Sequence, residues 1–166
     1  MRTVLPLIVA WLKATSISQD VRNYPWVWPL CETLHFIGLS LLIGVIGLLD
    51  LRLLGFFKRI PIPALRALLP YGLLGFAINL ITGLLFFIGA PDQYVQNTAF
   101  YYKLAFLVIA GTNALVFELM YGRRLASIKI GDVTPVPFRI AGGVSILSWF
   151  MVLYWGRMLP FVGNAF

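Results

Sequence analysis

The sequence predicts an all-α integral membrane protein, a bundle of four membrane-spanning helices with a short N-terminal helix at the interface. Of the 166 residues, 60% are apolar and 11% are charged, and the mean hydropathy is +0.90. A soluble domain has about 25% charged residues, so this chain has too little polar surface to cover itself in water. Four apolar runs, each long enough to cross roughly 30 Å of hydrocarbon as a helix, take up most of the chain.

The four apolar runs, in chain order, are residues 30–49, 68–89, 100–121 and 140–161. Each must be helical, because a single strand in lipid leaves its backbone polar groups unpaired. The segments between the runs are short, so residues 1–166 form a single transmembrane domain. Residues 1–12 combine Arg2 with an apolar stretch, as a secretory signal does, but the stretch is too short to span. We expect residues 1–15 to lie flat in the interface as an amphipathic helix.

The basic residues predict the orientation. Eight of them flank or fill the first and third connections: Arg52, Lys58, Arg59, Arg66, Arg123, Arg124, Lys129 and Arg139. The second connection, residues 90–99, has none. Cytoplasmic loops collect Lys and Arg, which predicts a bacterial inner membrane protein with both termini periplasmic. Asp50 and Glu118 lie among these basic residues at the helix ends, where we expect the cluster to anchor the interface.

The net charge of +7 follows from this loop bias and from attraction to anionic lipid. The basic residues form no stripe with interleaved aromatic residues, so nucleic acid is not an expected partner. The chain has one histidine and one cysteine, which excludes an internal disulfide framework and any site within one copy that needs two imidazoles. With no Ser/His/Asp set and no glycine-rich phosphate loop, we expect a protein that is non-catalytic or weakly catalytic.

The candidate site lies near the periplasmic end of the first run. Glu32 and His35 are three residues apart, so they share one flank of the helix. Arg157, near the end of the fourth run, has a similar depth, and we expect it to contact Glu32 within one water-bridged network that includes His35. His35 is a candidate ligand of a haem iron or copper ion, or a group that handles a quinone proton. Cys31 and Met158 are the soft donors that would suit Cu(I). The alternative is that the same residues only fix helix packing.

Small and polar residues inside the membrane predict helix contacts. The second run has four of them on one helix face: Gly72, Gly75, Asn79 and Thr82. The first run has three: Ser40, Gly44 and Gly47. Such residues are typical of packing faces, with Asn79 and Asn113 bonding across helices. The alternative is that Asn79 and Asn113 line a ligand pocket.

Two motifs in the first run resemble a known family. Residues 29–55 contain E-T-L-H-F-I-G and then D-L-R-L-L-G, and further matches include N-T-A-F-Y-Y-K at residues 97–103. This pattern resembles an uncharacterised bacterial family of small four-helix inner-membrane proteins. More remotely, the histidine-bearing first helix is similar to copper-resistance-D-type and cytochrome-b-like membrane domains. That resemblance implies copper handling or haem binding through membrane histidines, of which only His35 matches here.

These observations predict a redox-type ligand site at His35 that binds haem b or a quinone, ahead of copper, and serves a larger electron-transfer or membrane system. The alternatives are a non-catalytic structural or assembly subunit of a membrane complex and a copper-handling membrane protein. The expected partners are the lipid bilayer and a larger membrane complex or a second copy of the chain.

Overall fold

The computed structural model describes residues 4–125 and 128–162, with side chains from Pro6 onward. Within these residues the chain forms eight α-helices and one 3-10 helix, and no strand. The elements are α1 (Val4–Ala14), α2 (Ser16–Asn23), α3 (Val27–Leu54), α4 (Ile62–Arg66), α5 (Leu69–Gly89), α6 (Pro91–Val95), α7 (Thr98–Leu125), α8 (Val136–Met158) and the 3-10 helix Leu159–Phe161.

Four segments are long and apolar enough to cross a membrane: Val27–Leu54, Ile62–Gly89, Thr98–Leu125 and Val136–Phe161. The predicted fold class, an all-α bundle of four membrane-spanning helices, is confirmed, and the chain is a multi-pass membrane protein. Each span is longer than predicted at one or both ends.

Helix α3 shows why its ends were misplaced. Pro29 lies in its first turn, where a missing N–H costs no hydrogen bond because the first amides of a helix have no partner within it. The helix ends at Gly55, which adopts φ 102°. Its amide donates to the Arg52 carbonyl at 3.1 Å, and the Phe56 amide donates to Leu51 at 3.0 Å. This pair of bonds is a Schellman cap, which only the glycine makes favourable.

Helix α3 is the centre of the bundle, since it packs against both α5 and α8, while α7 packs against α8. The closest approach joins α3 to α5 at two glycines. A Cβ added at Gly75 would lie 2.5 Å from the Gly38 carbonyl oxygen, and one added at Gly38 would lie 2.8 Å from the Gly75 carbonyl oxygen. The two backbones therefore touch, as small residues permit between membrane helices.

The predicted packing face of α5 is confirmed, because Gly72, Gly75 and Thr82 are all buried. The predicted face of α3 is wrong. A Cβ at Gly44 or Gly47 would meet nothing within 4 Å, whereas the glycine that packs is Gly38. Spacing alone could not decide which of several glycines faces the partner helix.

The connections 55–61 and 128–135 meet at one end of the bundle, called the basic end below. Arg52 is fully buried there. Its Nε donates to the Ile60 carbonyl at 3.1 Å and its Nη1 to the Thr134 hydroxyl at 3.3 Å, so one side chain ties both connections to α3. A further bond, from the Gly131 amide to the Lys58 carbonyl at 3.1 Å, joins the two connections directly.

The opposite end, called the aromatic end, holds α1, α2 and α6. Of the predicted interfacial helix over residues 1–15, α1 covers Val4–Ala14, and residues 1–3 lie outside the described part of the chain. The Lys13 ammonium pairs with the Asp92 carboxylate at 2.8 Å. Helix α2 was not predicted from its polar sequence. It is fixed by Ser18, whose hydroxyl donates to the Ile88 carbonyl of α5 at 2.7 Å.

Candidate functional site

The close contact between α3 and α5 places His35 opposite Thr82. Gly38 is one helical turn from His35, and Gly75 is two turns from Thr82, so the antiparallel helices bring the two side chains together. The distance between His35 Nδ1 and Thr82 Oγ1 is 2.7 Å. His35 is half-buried and Thr82 is buried. The pair is a polar contact inside two membrane-spanning helices, where hydrogen-bond partners are scarce.

The Thr82 hydroxyl decides which nitrogen of His35 carries the proton. Its oxygen lies 2.7 Å from the Ile78 carbonyl oxygen one turn earlier on α5. Two oxygens this close need a proton between them, so the single hydroxyl proton is donated to Ile78. With the hydroxyl proton assigned to Ile78, the Thr82 oxygen accepts from His35, and we assign the ring proton to Nδ1. In the neutral imidazole, the lone pair is therefore at Nε2.

The surroundings of His35 are aromatic on one side and uncovered on another. The ring centroids of His35 and Phe86 are 5.7 Å apart, and Trp28 packs on Phe86 at 4.9 Å. Gly83 faces the ring edge that joins the two nitrogens, since a Cβ there would lie 3.8 Å from His35 Cε1. Because residue 83 is glycine, no side chain from this position covers that edge.

Lys103 places a positive charge between α7 and α8. Its half-buried side chain lies beside α8, with Nζ 3.7 Å from the position of a Cβ at Gly156. The structure thus brings together His35 and Thr82, whereas Lys103 lies where α7 packs against α8.

The predicted contact between Glu32 and Arg157 is wrong. Glu32 is exposed and accepts a hydrogen bond from Trp28 Nε1 at 3.2 Å. The Arg157 guanidinium lies over the Phe161 ring, 5.3 Å from its centroid. The ion pairs formed within the described residues are Lys13–Asp92 and Arg66–Glu118. Two residues that are expected at similar depth can still face different directions around their helices.

The two membrane asparagines differ in their partners. Asn113 Nδ2 donates across the helices to the Ala141 carbonyl at 3.1 Å, as predicted. Asn79 Nδ2 instead donates within α5 to the Gly75 carbonyl at 2.9 Å, so its predicted interhelical bond is wrong. Asn79 Oδ1 is buried without a hydrogen-bond partner in the described part of the chain. Asn113 therefore holds α7 to α8, and Asn79 packs against the Gly38 backbone.

The soft donors proposed for copper lie in different environments. Cys31 is a free, buried thiol on α3. Met158 packs into a cluster at the aromatic end with Tyr94, Ala99 and Leu159. Within residues 4–125 and 128–162, no three His, Cys, Asp or Glu side chains come together as a metal site. A copper site at His35, Cys31 and Met158 stays a prediction.

Two groups outside the spans have perturbed acidity. The hydrogen bond from Lys13 is the main reason that the pKa of Asp92 is below its ordinary value. Burial, with a smaller contribution from the negative charge of Glu32, raises the pKa of Tyr94 to about 12. Both residues belong to α6, which they help to hold under α1 and against the end of α5.

No family model, curated protein or solved structure matches this chain. The resemblance of its first helix to a bacterial membrane family therefore stays a prediction. The chemistry must be argued from the side chains themselves, and His35 is where they offer most. Thr82, Gly83 and Phe86 complete that site, but the sequence analysis gave none of them a role there. The signal was present in the spacing, because Thr82 shares a face of α5 with Gly75.

Proposed function

We propose that this protein binds a quinone-type ligand through Nε2 of His35. The observation that carries the proposal is the 2.7 Å contact between His35 Nδ1 and Thr82 Oγ1, beside the 2.7 Å contact of the same hydroxyl with the Ile78 carbonyl. From these contacts we assign the ring proton to Nδ1, which leaves a lone pair at Nε2. Histidines that bind a ligand through one ring nitrogen typically donate a hydrogen bond from the other nitrogen, and that bond fixes the tautomer.

The surroundings of His35 suit a flat ligand from the lipid phase. A quinol hydroxyl can donate to Nε2, and Phe86 offers a ring against which a quinone ring can pack. Gly83 leaves room beside the imidazole edge. Haem b held by two imidazoles would need His35 from a second copy, since each chain has one histidine. A quinol needs one such nitrogen, because its hydroxyl donates to a single lone pair, which is why we place a quinone-type ligand ahead of haem.

We place the protein in a bacterial inner membrane with the basic end in the cytoplasm and His35 in the periplasmic half. Support comes from the eight basic residues in the first and third connections against none in residues 90–99. In a Cys31→Ser background, Gln96→Cys should be labelled from the periplasm and Lys129→Cys from the cytoplasm. If Gln96→Cys is labelled only from the cytoplasm, the orientation is the opposite of the one proposed.

A second candidate function is that of a structural or assembly subunit within a larger membrane complex. It is favoured by the position of the His35–Thr82 bond, next to the closest backbone contact in the bundle. In that case the bond is an interhelical strut, and Nε2 has no ligand.

The deciding experiment uses a variant that adds a side chain beside the His35 ring and keeps the His35–Thr82 hydrogen bond. Purified protein is titrated under argon with a short-chain ubiquinol analogue, whose hydroxyl can donate to Nε2, with binding followed by quenching of tryptophan fluorescence, because Trp28 packs against Phe86. We expect saturable quenching in the parent and about tenfold weaker binding in His35→Ala, which loses a buried hydrogen bond. Gly83→Val should also weaken binding, because its side chain would cover the ring edge.

Ser40→Ala is the matched control, since Ser40 is exposed on the same helix and should bind like the parent. Mass spectrometry and a visible spectrum of the untreated protein identify any ligand that is carried through purification. A Soret band that is present in the parent and absent from His35→Ala would show that the ligand is haem and not a quinone. If the parent does not bind the analogue, and His35→Ala lowers only the melting temperature, the structural-subunit function is correct.

A further inference from the structure

The basic end carries a cavity that the His35 site does not use. It has a volume of about 560 Å³, within the range of about 300–1,000 Å³ typical of small-ligand sites. It lies where the end of α4 meets the last two turns of α7. The lining residues are Arg66, Glu118, Leu119, Met120, Gly122, Arg123 and Arg124.

One wall of this cavity is built by a fixed ion pair. Arg66 donates to the two carboxylate oxygens of Glu118 at 2.6 and 3.2 Å, and to the Gly122 carbonyl at 3.3 Å. A Cβ at Gly122 would lie 2.5 Å from Glu118 Oε1, so the glycine leaves room for the carboxylate to fold back along α7. The pair neutralises Arg66 and holds it in place.

The charge that remains is positive. Three guanidinium groups and one carboxylate line the cavity, which leaves a formal charge of +2. Arg123 is exposed and has no ion pair or hydrogen bond from its side chain to the rest of the described chain. A planar guanidinium matches the oxygens of a phosphate in a bidentate way. The chemistry of the cavity therefore selects an anion with several oxygens.

The rest of the lining is apolar and faces outward. Leu119 is 77% exposed and Met120 is 61% exposed, both on a helix that crosses the membrane. A ligand in this cavity thus meets cations toward the helix end and hydrocarbon toward the middle of the span. A soluble phosphate offers nothing to these two side chains, whereas an acyl chain does.

We propose that this cavity binds the phosphodiester headgroup of an anionic phospholipid, with its acyl chain against Leu119 and Met120. Arg123 contacts the phosphate, while Glu118 and Gly122 keep Arg66 fixed at the wall. The site is independent of the ligand at His35.

The test compares lipids on the intact protein in detergent by native mass spectrometry. Dioleoyl phosphatidylglycerol should bind in a defined stoichiometry and more tightly than dioleoyl phosphatidylcholine. Arg123→Gln should weaken phosphatidylglycerol about fivefold, as expected for one charge near a membrane surface. Arg139→Gln is the matched control, because Arg139 is an exposed basic residue at the same end outside the cavity. Circular dichroism checks that both variants stay helical.

Three results would overturn the proposal. The first is equal binding of the two lipids, and the second is an equal loss in Arg123→Gln and Arg139→Gln. The third is binding of deacylated glycerophosphoglycerol as tight as that of the intact lipid, which would make the ligand a soluble phosphodiester. If Arg123→Gln unfolds, Leu119→Ala provides the second variant and should weaken the intact lipid but not the deacylated headgroup.

Discussion

Replacing Gly75 by alanine tests the contact that positions the candidate site. The added Cβ would lie 2.5 Å from the Gly38 carbonyl oxygen, 2.8 Å from the Leu42 amide nitrogen and 2.9 Å from Leu41 Cβ. Two of these atoms belong to the backbone, so no rotamer change can relieve the overlap. Ordinary contact begins near 3.4 Å, which means that α3 and α5 must move apart by about 0.9 Å.

The expected cost is that of overpacking, about 1–3 kcal/mol in the free energy of unfolding. The same movement would stretch the His35–Thr82 distance from 2.7 Å toward about 3.6 Å, where no hydrogen bond remains. Gly75→Ala should therefore lower both stability and any binding at His35.

The measurement is unfolding in mixed micelles as the fraction of dodecyl sulfate rises, followed by circular dichroism. Gly44→Ala is the matched control, because a Cβ at Gly44 meets nothing within 4 Å. It should remain within about 0.5 kcal/mol of the parent, as surface substitutions do. If Gly75→Ala and Gly44→Ala unfold together, the backbone contact does not hold the bundle and the reasoning is refuted.

Three further predictions concern the two ends of the bundle. Arg52→Gln should lower the free energy of unfolding by about 1.5–3 kcal/mol in the same assay, since bonds from a buried charge to both connections are lost, whereas Arg139→Gln at the exposed surface should not. Ser18→Ala should lower the free energy of unfolding by about 1 kcal/mol and speed proteolysis of the N-terminal segment, because the bond to the Ile88 carbonyl of α5 is lost. An unchanged proteolysis rate would show that this bond does not hold the segment. Because the pKa of Asp92 is lowered in the folded protein, its pair with Lys13 contributes above the ordinary aspartate pKa and is lost as the pH falls below it. The contribution is small, since both side chains are partly exposed; Asp92→Asn should make proteolysis of α1 independent of pH in that window.

The four spans could be predicted because hydropathy and length are properties of whole segments. Their ends could not, because each end depends on one local arrangement. The sequence analysis ended the first span at residue 49 and placed Asp50 and Arg52 at the helix end, in a cluster expected to anchor the interface. In the structure both are buried on α3, and the helix continues to the cap at Gly55.

The candidate site was predicted in part. His35 could be found because a single imidazole in a membrane span is costly and needs an explanation. Its partner could not, because the rotation of α5 about its axis decides whether Thr82 or another polar residue faces α3. That rotation is fixed by Gly38 and Gly75, and the sequence offers several glycines with similar spacing. The error at Glu32 and Arg157 has the same origin.

Arg52 serves the chain at two different times. In the orientation proposed above, a basic residue near the end of a span helps to hold that end in the cytoplasm while the nascent chain enters the membrane. After folding, the same guanidinium is inside the protein, bonded to both connections, and contributes nothing to the surface charge. A variant without this charge keeps seven other basic residues to direct insertion. The chain should therefore insert correctly and fail later, when the helices assemble.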